Sequence, residues 1–288
     1  MAPQELGKGR NVWYCMGYIL SVGKAEAVAL HDCDIVTYSR SLLARLVYPV
    51  ANPKFNFDFC KGYYPRVSEN KVKGRVARLL VTPLLRALEK TIGFNEFISF
   101  VDSFRYPLAG EFSFRRRVLK DIRIPYDWGL EIGVLSEMFR NYAGNRLCQV
   151  DIADNYDHKH QDIFFDDNSK GLSKMSIDII KVIIRKLASQ GEPFSMSIFR
   201  SLKATYYREA LDFVQIYKKD ALMNAYDIDV HEEETAVELF AKNIMVAGQV
   251  FLDSPMESPN IPTWSRVDTA LPGFLNDLRK AVEIDNKS

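Results

Sequence analysis

Apolar positions along the chain switch between helical and strand periods, and that switching lays out the elements. In residues 10–22, Val12, Trp13, Met16, Ile19 and Leu20 fall on one side of a helix, and Gly23 closes it. The run Ala27-Val28-Ala29-Leu30 reads as a buried strand covered on both faces, continuing to Asp34. Residues 38–48 read as a helix with Leu42, Leu43, Leu46 and Val47 inward, broken by Pro49 and Pro53. Residues 55–67 alternate aromatic and polar positions, as strands do. Residues 74–88 are basic and apolar, with Pro83 marking a kink or restart. Gly110 permits a turn or a close approach of the backbone. A helix opens at residues 128–133 and runs to about 142, and residues 147–152 form another strand.

From Leu172 onward the pattern turns helical. Leu172, Met175, Ile179, Ile180, Ile183 and Leu187 share one face, Phe194 through Tyr217 supply a second, and residues 236–251 a third. A proline-containing tail ends in a short helix at residues 274–284. The expected class is α/β, a mixed sheet flanked by helices, with a core in residues 1–170 and a helical region in 171–288 that packs on it and offers a dimer surface. The chain enters its sheet through a loop and a helix, whereas a doubly wound domain starts with a strand.

Composition narrows the function classes. The chain has 288 residues, 47% hydrophobic and 26% charged, with a formal net charge of +1, so bulk electrostatics points to neither nucleic acid nor a membrane surface. Four scattered cysteines without a C-x-x-C pattern exclude a zinc or disulfide framework by spacing. No secretory signal opens the sequence, and the most apolar run, residues 177–184, is too short to span a bilayer. A cytoplasmic protein is expected.

The candidate chemistry begins at His31-Asp32-Cys33-Asp34. Two carboxylates at a strand end suit a divalent cation, Mg²⁺ or Mn²⁺, and a turn-and-cap role is the alternative. On a strand, side chains two apart point the same way, which would set Asp32 and Asp34 on one site and turn Cys33 away. The second D-x-D, Asp227 and Asp229, precedes an acidic helix start and reads as its cap. His158 and His160 follow the strand at 147–152. Paired histidines can bind metal or stand unliganded on a surface; if both strand ends belong to one sheet, Asp34 and His158 could share a cation with one side open to a diphosphate. Gly74-Arg75 opening a helix offers backbone N–H groups and a guanidinium that suit a phosphate, or else a solvated face. Gly7-Lys8-Gly9 is not a Walker A loop. Glu131 favours a helix N-terminus or aims into the site above the sheet.

Taken in order, these segments resemble a family. Gly7-Lys8-Gly9, His31-Asp32-Cys33-Asp34, Lys61-Gly62-Tyr63-Tyr64, Gly74-Arg75-Val76, Pro83-Leu84-Leu85, Pro107-Leu108-Ala109-Gly110-Glu111-Phe112, Gly129-Leu130-Glu131-Ile132-Gly133, Gln149-Val150 and Asp157-His158-Lys159-His160 are similar to those of glucosyl-3-phosphoglycerate synthases. These are retaining glycosyltransferases of the GT-A fold, related to mannosylglycerate synthases. The resemblance is close over about the first 160 residues and loose in the helical tail.

The resemblance implies transfer of glucose from a nucleotide diphosphate sugar to 3-phosphoglycerate with retention, assisted by Mg²⁺ or Mn²⁺. It places Lys8 near the diphosphate, Asp32 on the nucleotide or sugar, and Asp34 on the metal with His158 as second ligand. Gly74 and Arg75 would bind the acceptor, Gly110 and Glu111 would line the sugar pocket, and Glu131 would position the glucose hydroxyls. Glu131 and Glu111 are the expected catalytic pair. Ala77 stands where some relatives place a hydroxyl, and His160, counted among the substrate-binding residues, stands where some place Asn. The family begins with a strand, a uridine-cradling loop and a βα unit ahead of the Gly-Lys-Gly. Their absence here implies a fragment or a late start, an exposed sheet edge, and a chain inactive alone. The alternatives are mannosyl transfer to glycerate or phosphoglycerate, and a non-catalytic homologue acting in assembly.

Overall fold

The computed structural model describes residues 4, 7–157, 171–257 and 259–287. His158 and His160 lie outside the described residues. Helix α1 spans Lys8–Val22 and buries Val12, Trp13, Met16 and Gly17, and Gly23 ends it in a left-handed conformation, donating its N–H to Ile19 O. Strand β1 (Ala27–Leu30) follows, then α2 (Arg40–Ala51), capped by the Ser39 hydroxyl accepting from Leu42 N–H.

Two expectations are corrected in this stretch. Strand β1 is half-buried along its length, because it pairs only with one strand at the edge of the sheet. Pro49 lies inside α2 instead of ending it. The hydrogen bond that Pro49 cannot make belongs to the last turn, where burying Leu42, Leu46 and Val50 against the sheet outweighs one lost bond.

Strand β2 (Phe59–Tyr63) is buried at Phe59, Cys60, Lys61 and Gly62 rather than alternating, since it is an interior strand covered on both faces. A small hairpin, β3 (Val67–Ser68) and β4 (Lys71–Val72), leads to Gly74 at φ +74°. The segment Val76–Val81 is π-helical and wholly buried after Val76, and Tyr206 donates its hydroxyl to Leu79 O. Pro83 then restarts the chain in the first turn of α3 (Thr82–Ile92). Helix α4 (Glu96–Asp102) precedes β5 (Phe112–Arg115), and α5 (Leu130–Asn141) precedes β6 (Leu147–Asp151).

Among the described residues these strands form one four-stranded sheet in the order β1-β5-β2-β6 and a separate β3-β4 pair. Strand β5 runs antiparallel to both neighbours, and β2 and β6 are parallel. The carboxyl ends of β1, β2 and β6 therefore meet the amino end of β5 at one edge, the mixed sheet expected. That edge gathers Asp32, Tyr64, Glu111 and Tyr156.

Among the described residues five further helices follow: α6 (Gly171–Ala188), α7 (Met196–Met223), α8 (Val230–Asp253), α9 (Trp264–Ala270) and α10 (Phe274–Asp285). One hydrophobic cluster runs from Phe59, Phe112 and Phe114 through Leu79 and Leu84 to Ile180, Phe199 and Phe240, so the helices share the core of the sheet. Among the described residues α8 is long and apolar enough to cross a membrane, with mean hydropathy 1.2, yet 56% of that window is buried here, packed on α6 and α7. The tail returns to α1: Trp264 stacks on Trp13 at 4.0 Å, and each indole donates to the other's segment, Trp13 to Pro262 O and Trp264 to Trp13 O. Asp229 accepts from Glu232 N–H at the start of α8, the capping role expected of the second D-x-D.

Candidate active site

Three of the expected residues meet above the strand ends. The Lys8 ammonium, in the first turn of α1, lies 2.6 Å from Asp32 Oδ1 and donates to Glu131 Oε1 at 2.7 Å. The Glu131 side chain is 7% exposed and that of Asp32 32% exposed, so the cluster opens on the Asp32 side. Burial by itself would push the Lys8 ammonium down; Glu131 and Asp32 outweigh it and hold the group above the ordinary lysine range. Lys8 is thus a fixed positive charge between two carboxylates.

Asp32 and Asp34 do not lie on a strand. Strand β1 ends at Leu30 and the D-x-D sits in the turn beyond it, so the period-two argument does not orient the pair. What fixes Asp32 is Gly110: a Cβ there would stand 2.5 Å from Asp32 Oδ2. The turn is tied across the sheet end, Val36 N–H donating to Asp157 O at 2.8 Å and Asp157 N–H to Thr37 Oγ1 at 2.9 Å. Asp34 accordingly shares the end of the sheet with Asp157, the residue that immediately precedes His158.

Glu111 lies beneath the cluster and is fully buried. Its carboxylate accepts from Tyr64 OH and Tyr156 OH, each at 2.7 Å, and from Asp32 N–H at 3.4 Å. The two tyrosine rings stack at 3.6 Å, and burial followed by the Glu111 charge keeps both hydroxyls protonated. With three donors on its carboxylate, Glu111 holds the Asp32 turn and the tyrosine pair in place. Lys61 lies next to it, 1% exposed, donating to Ala109 O at 2.5 Å under the Gly110 loop.

The tyrosines join this cluster to a cavity of about 290 Å³ lined by Tyr64, Arg66, Lys73, Gly74, Arg105 and Tyr217 among others. Gly74 is at its wall, as expected of an acceptor-binding turn. Arg75 is not among its lining residues: its guanidinium pairs with Glu233 at 3.0 Å and Glu232 at 3.1 Å. The sequence singles out neither Arg66 nor the Tyr64–Tyr156 pair as functional, because what joins them is stacking between distant segments, which leaves no local pattern.

Among the described residues no group of three or more His, Cys, Asp and Glu forms a ready metal site. Asp34 supplies a hard oxygen donor of the kind Mg²⁺ or Mn²⁺ takes, at the sheet end it shares with Asp157, so the donor chemistry fits a divalent cation.

No protein-family model matches the chain. Over 280 residues, 97% of this chain and 69% of the relative, it is 48% identical to the glucosyl-3-phosphoglycerate synthase of Persephonella marina. The chain belongs to the glucosyl-3-phosphoglycerate synthase family. It is also 38% identical to the family member from Methanococcoides burtonii over 284 residues, again 69% of that relative. Among solved structures, glucosyl-3-phosphoglycerate synthase from Mycobacterium tuberculosis in complex with phosphoglyceric acid shows 23% identity and a TM-score of 0.49 over 67% of this chain and 58% of that one. Mannosyl-3-phosphoglycerate synthase from Rubrobacter xylanophilus shows 24% identity and a TM-score of 0.48, over 66% of this chain and 53% of that one. Likeness at that level is too low to carry over individual side chains. Family membership therefore rests on the curated relatives, and the site rests on its own geometry.

Proposed function

We propose that this chain transfers glucose from a nucleotide diphosphate sugar to 3-phosphoglycerate with retention, the reaction for which its relatives are named. The observation that carries the reading is the Lys8–Asp32–Glu131 cluster at the meeting point of the strand ends, joined through Tyr64 and Tyr156 to a cationic cavity. A sugar diphosphate and an anionic acceptor need two such adjoining places.

In this reading Lys8 meets the diphosphate, and Asp32 and Glu131, which hold Lys8 in this structure, take sugar hydroxyls. Glu131 stands on the rigid first turn of α5 and Asp32 is wedged by Gly110, so both are preorganised for orientation. Glu111 acts through the tyrosines and the Asp32 backbone, as a positioning residue. Asp34 and His158 would hold the divalent cation, which when bound supplies charge neutralisation for the diphosphate leaving group. The Val36–Asp157 tie supports placing Asp34 and Asp157 at one end of the sheet. The acceptor hydroxyl attacks the anomeric carbon on the face the diphosphate leaves, and its proton passes to the departing phosphate oxygen. That route needs no protein nucleophile.

The test is product formation with UDP-, GDP- and ADP-glucose as donors and 3-phosphoglycerate as acceptor, with Mg²⁺ or Mn²⁺. Glu131→Gln removes a charge worth about 0.3–1 kcal/mol at a helix N-terminus. As an orienting group its loss lowers kcat by about two orders of magnitude or more, beyond the fall in Tm that losing one of the two Lys8 carboxylates brings. Absence of glucosyl-3-phosphoglycerate with every donor overturns the reading for this chain and bears out the expectation of a chain inactive alone, and wild-type turnover in Glu131→Gln removes that residue's role.

A further inference from the structure

We propose that Trp264, at the start of α9, is a positioning residue for Lys8: acting through Trp13, it holds α1 where the Lys8 ammonium meets Asp32 and Glu131. The proposal rests on the reading of Lys8 as the group that meets the diphosphate, and it makes the C-terminal tail part of the site.

Lys8 is the first residue of α1, and that helix start has no side-chain cap, because extended Gly7 stands in the capping position. The start rests instead on the main chain of residues 125 and 126. Arg10 N–H donates to Tyr126 O at 3.2 Å, and the approach is so close that a Cβ at Gly7 would stand 2.2 Å from Tyr126 O and one at Gly9 1.8 Å from Pro125 O. The same stretch leads into α5, where a Cβ at Gly133 would stand 2.3 Å from Pro125 Cδ. Residues 124–126 thus support both ends of the Lys8–Glu131 contact. The tail binds this stretch in turn: Tyr126 N–H donates to Pro259 O at 3.0 Å and Ile261 N–H to Ile124 O at 2.9 Å.

A few residues later the tail reaches α1 directly. Trp13 and Trp264 are each 2% exposed and stack at 4.0 Å. Stacking alone would let the helix slide, because ring faces attract over a range of offsets. Two indole N–H bonds remove that freedom: Trp13 donates to Pro262 O at 2.8 Å, and Trp264 donates to Trp13 O at 3.0 Å. The second bond ends on the backbone of α1, so it fixes the helix along its axis. Gly17 completes the fit, since a Cβ there would stand 2.1 Å from Trp264 Cζ2. Lys8 lies about one and a half helical turns from Trp13, close enough for the register set at Trp13 to carry to it. The contacts of Lys8 are short, 2.6 Å to Asp32 and 2.7 Å to Glu131, and a shift of about 1 Å takes both beyond hydrogen-bond range.

The experiment is trace acetylation of lysines with isotope-coded acetic anhydride, read by peptide mass spectrometry from pH 7 to pH 11. The full chain is compared as wild type, Trp264→Phe and Trp264→Leu, with circular dichroism to confirm folding. Exposed Lys24 reports the reagent, and Lys186, on α6 and half-buried over the rings of Phe97 and Phe139, reports general loosening. Burial pulls the Lys8 ammonium down and Glu131 and Asp32 outweigh it, so wild-type Lys8 should react far more slowly than Lys24. Trp264→Leu should raise Lys8 reactivity at pH 10 about 10-fold for each pH unit that its titration midpoint falls, with Lys186 unchanged. Trp264→Phe, which keeps a ring and loses the bond to Trp13 O, should fall between, and it decides the matter if Trp264→Leu does not fold. An unchanged Lys8 profile in the folded variants overturns the proposal, as does an equal rise at Lys186 or a wild-type Lys8 as reactive as Lys24. Titration of UDP-glucose with Mn²⁺ into wild type and Lys8→Met scores the diphosphate reading separately. Equal affinity, or no binding by the wild type, overturns that reading and leaves the positioning of Lys8 to be decided by the labelling.

Discussion

Replacing Asp127 with Asn should stabilise the protein at neutral and alkaline pH and do nothing in acid. Asp127 is 4% exposed, just ahead of α5, and faces Asp178 of α6, itself 2% exposed. Oδ1 of Asp127 accepts from Gly129 N–H at 2.9 Å, whereas its buried Oδ2 has no hydrogen-bond partner among the described residues. Burial first, and the Asp178 charge second, push the Asp127 carboxyl up to about 6; the Gly129 N–H, Lys181 and Lys174 pull the other way. Between 3.8 and about 6 the unfolded chain has released this proton and the folded chain still holds it, so stability falls as pH rises through that window. Above it the full cost is present, on the order of 3 kcal/mol. Asn keeps Oδ1 for Gly129 and carries no charge. Denaturant and thermal unfolding at pH 4 and pH 8 read the effect: near equality with wild type at pH 4, and a gain approaching ~3 kcal/mol at pH 8, or roughly 5–10 °C in Tm. A pH-independent difference, or an Asp127→Asn protein less stable than wild type at pH 8, refutes the reasoning.

Gly110→Ala should leave the fold intact and cut turnover, because the new methyl enters the space of the Asp32 carboxylate, 2.5 Å away, and turns it from Lys8; displacement of that size costs about 100-fold in rate, and unchanged kcat would show that Asp32 is not held there for catalysis. Lys61→Met should flatten the alkaline limb of the stability profile. Burial brings the Lys61 ammonium down to about 8, against the carboxylates of Glu131, Glu111 and Asp32 and alongside Lys8. Below that pH the buried charge costs in full; between about 8 and 10.5 the folded chain has lost a proton the unfolded chain keeps, so wild-type stability rises with pH and that of the Met variant does not. Parallel profiles for the two proteins would refute this.

Much of the fold is legible because burial on one face leaves a period in the sequence. Helix α1 shows its face at Val12, Trp13 and Met16 and its end at Gly23, and α6, α7 and α8 show theirs as plainly. The strands read less well. An interior strand such as β2 is buried at every position, so its alternation is overridden, and β5 sits in a stretch whose apolar run and glycine read as a turn. Pro49 misleads because a rule about interior hydrogen bonds loses force in the last turn of a helix. Helices α4 and α9 are short, and their apolar faces hold too few residues to show a period.

The site divides along a similar line. Lys8, Asp32, Gly110 and Glu131 lie in short local motifs, and the chain folds so that they meet. The sequence cannot show what each is joined to. Glu111, Tyr64 and Tyr156 form one hydrogen-bonded unit from three segments, and none of the three side chains announces the other two. Arg75 and Arg66 make the same point with charge. In sequence Arg75 beside Gly74 looks the better anion ligand, and Arg66 beside Pro65 looks ordinary. Folding brings Glu232 and Glu233 from α8 onto Arg75, and brings the rings of Tyr64, Tyr106 and Tyr156 around Arg66. An arginine's availability to a ligand is set by what its neighbours have already taken from it, and those neighbours come from elsewhere in the chain.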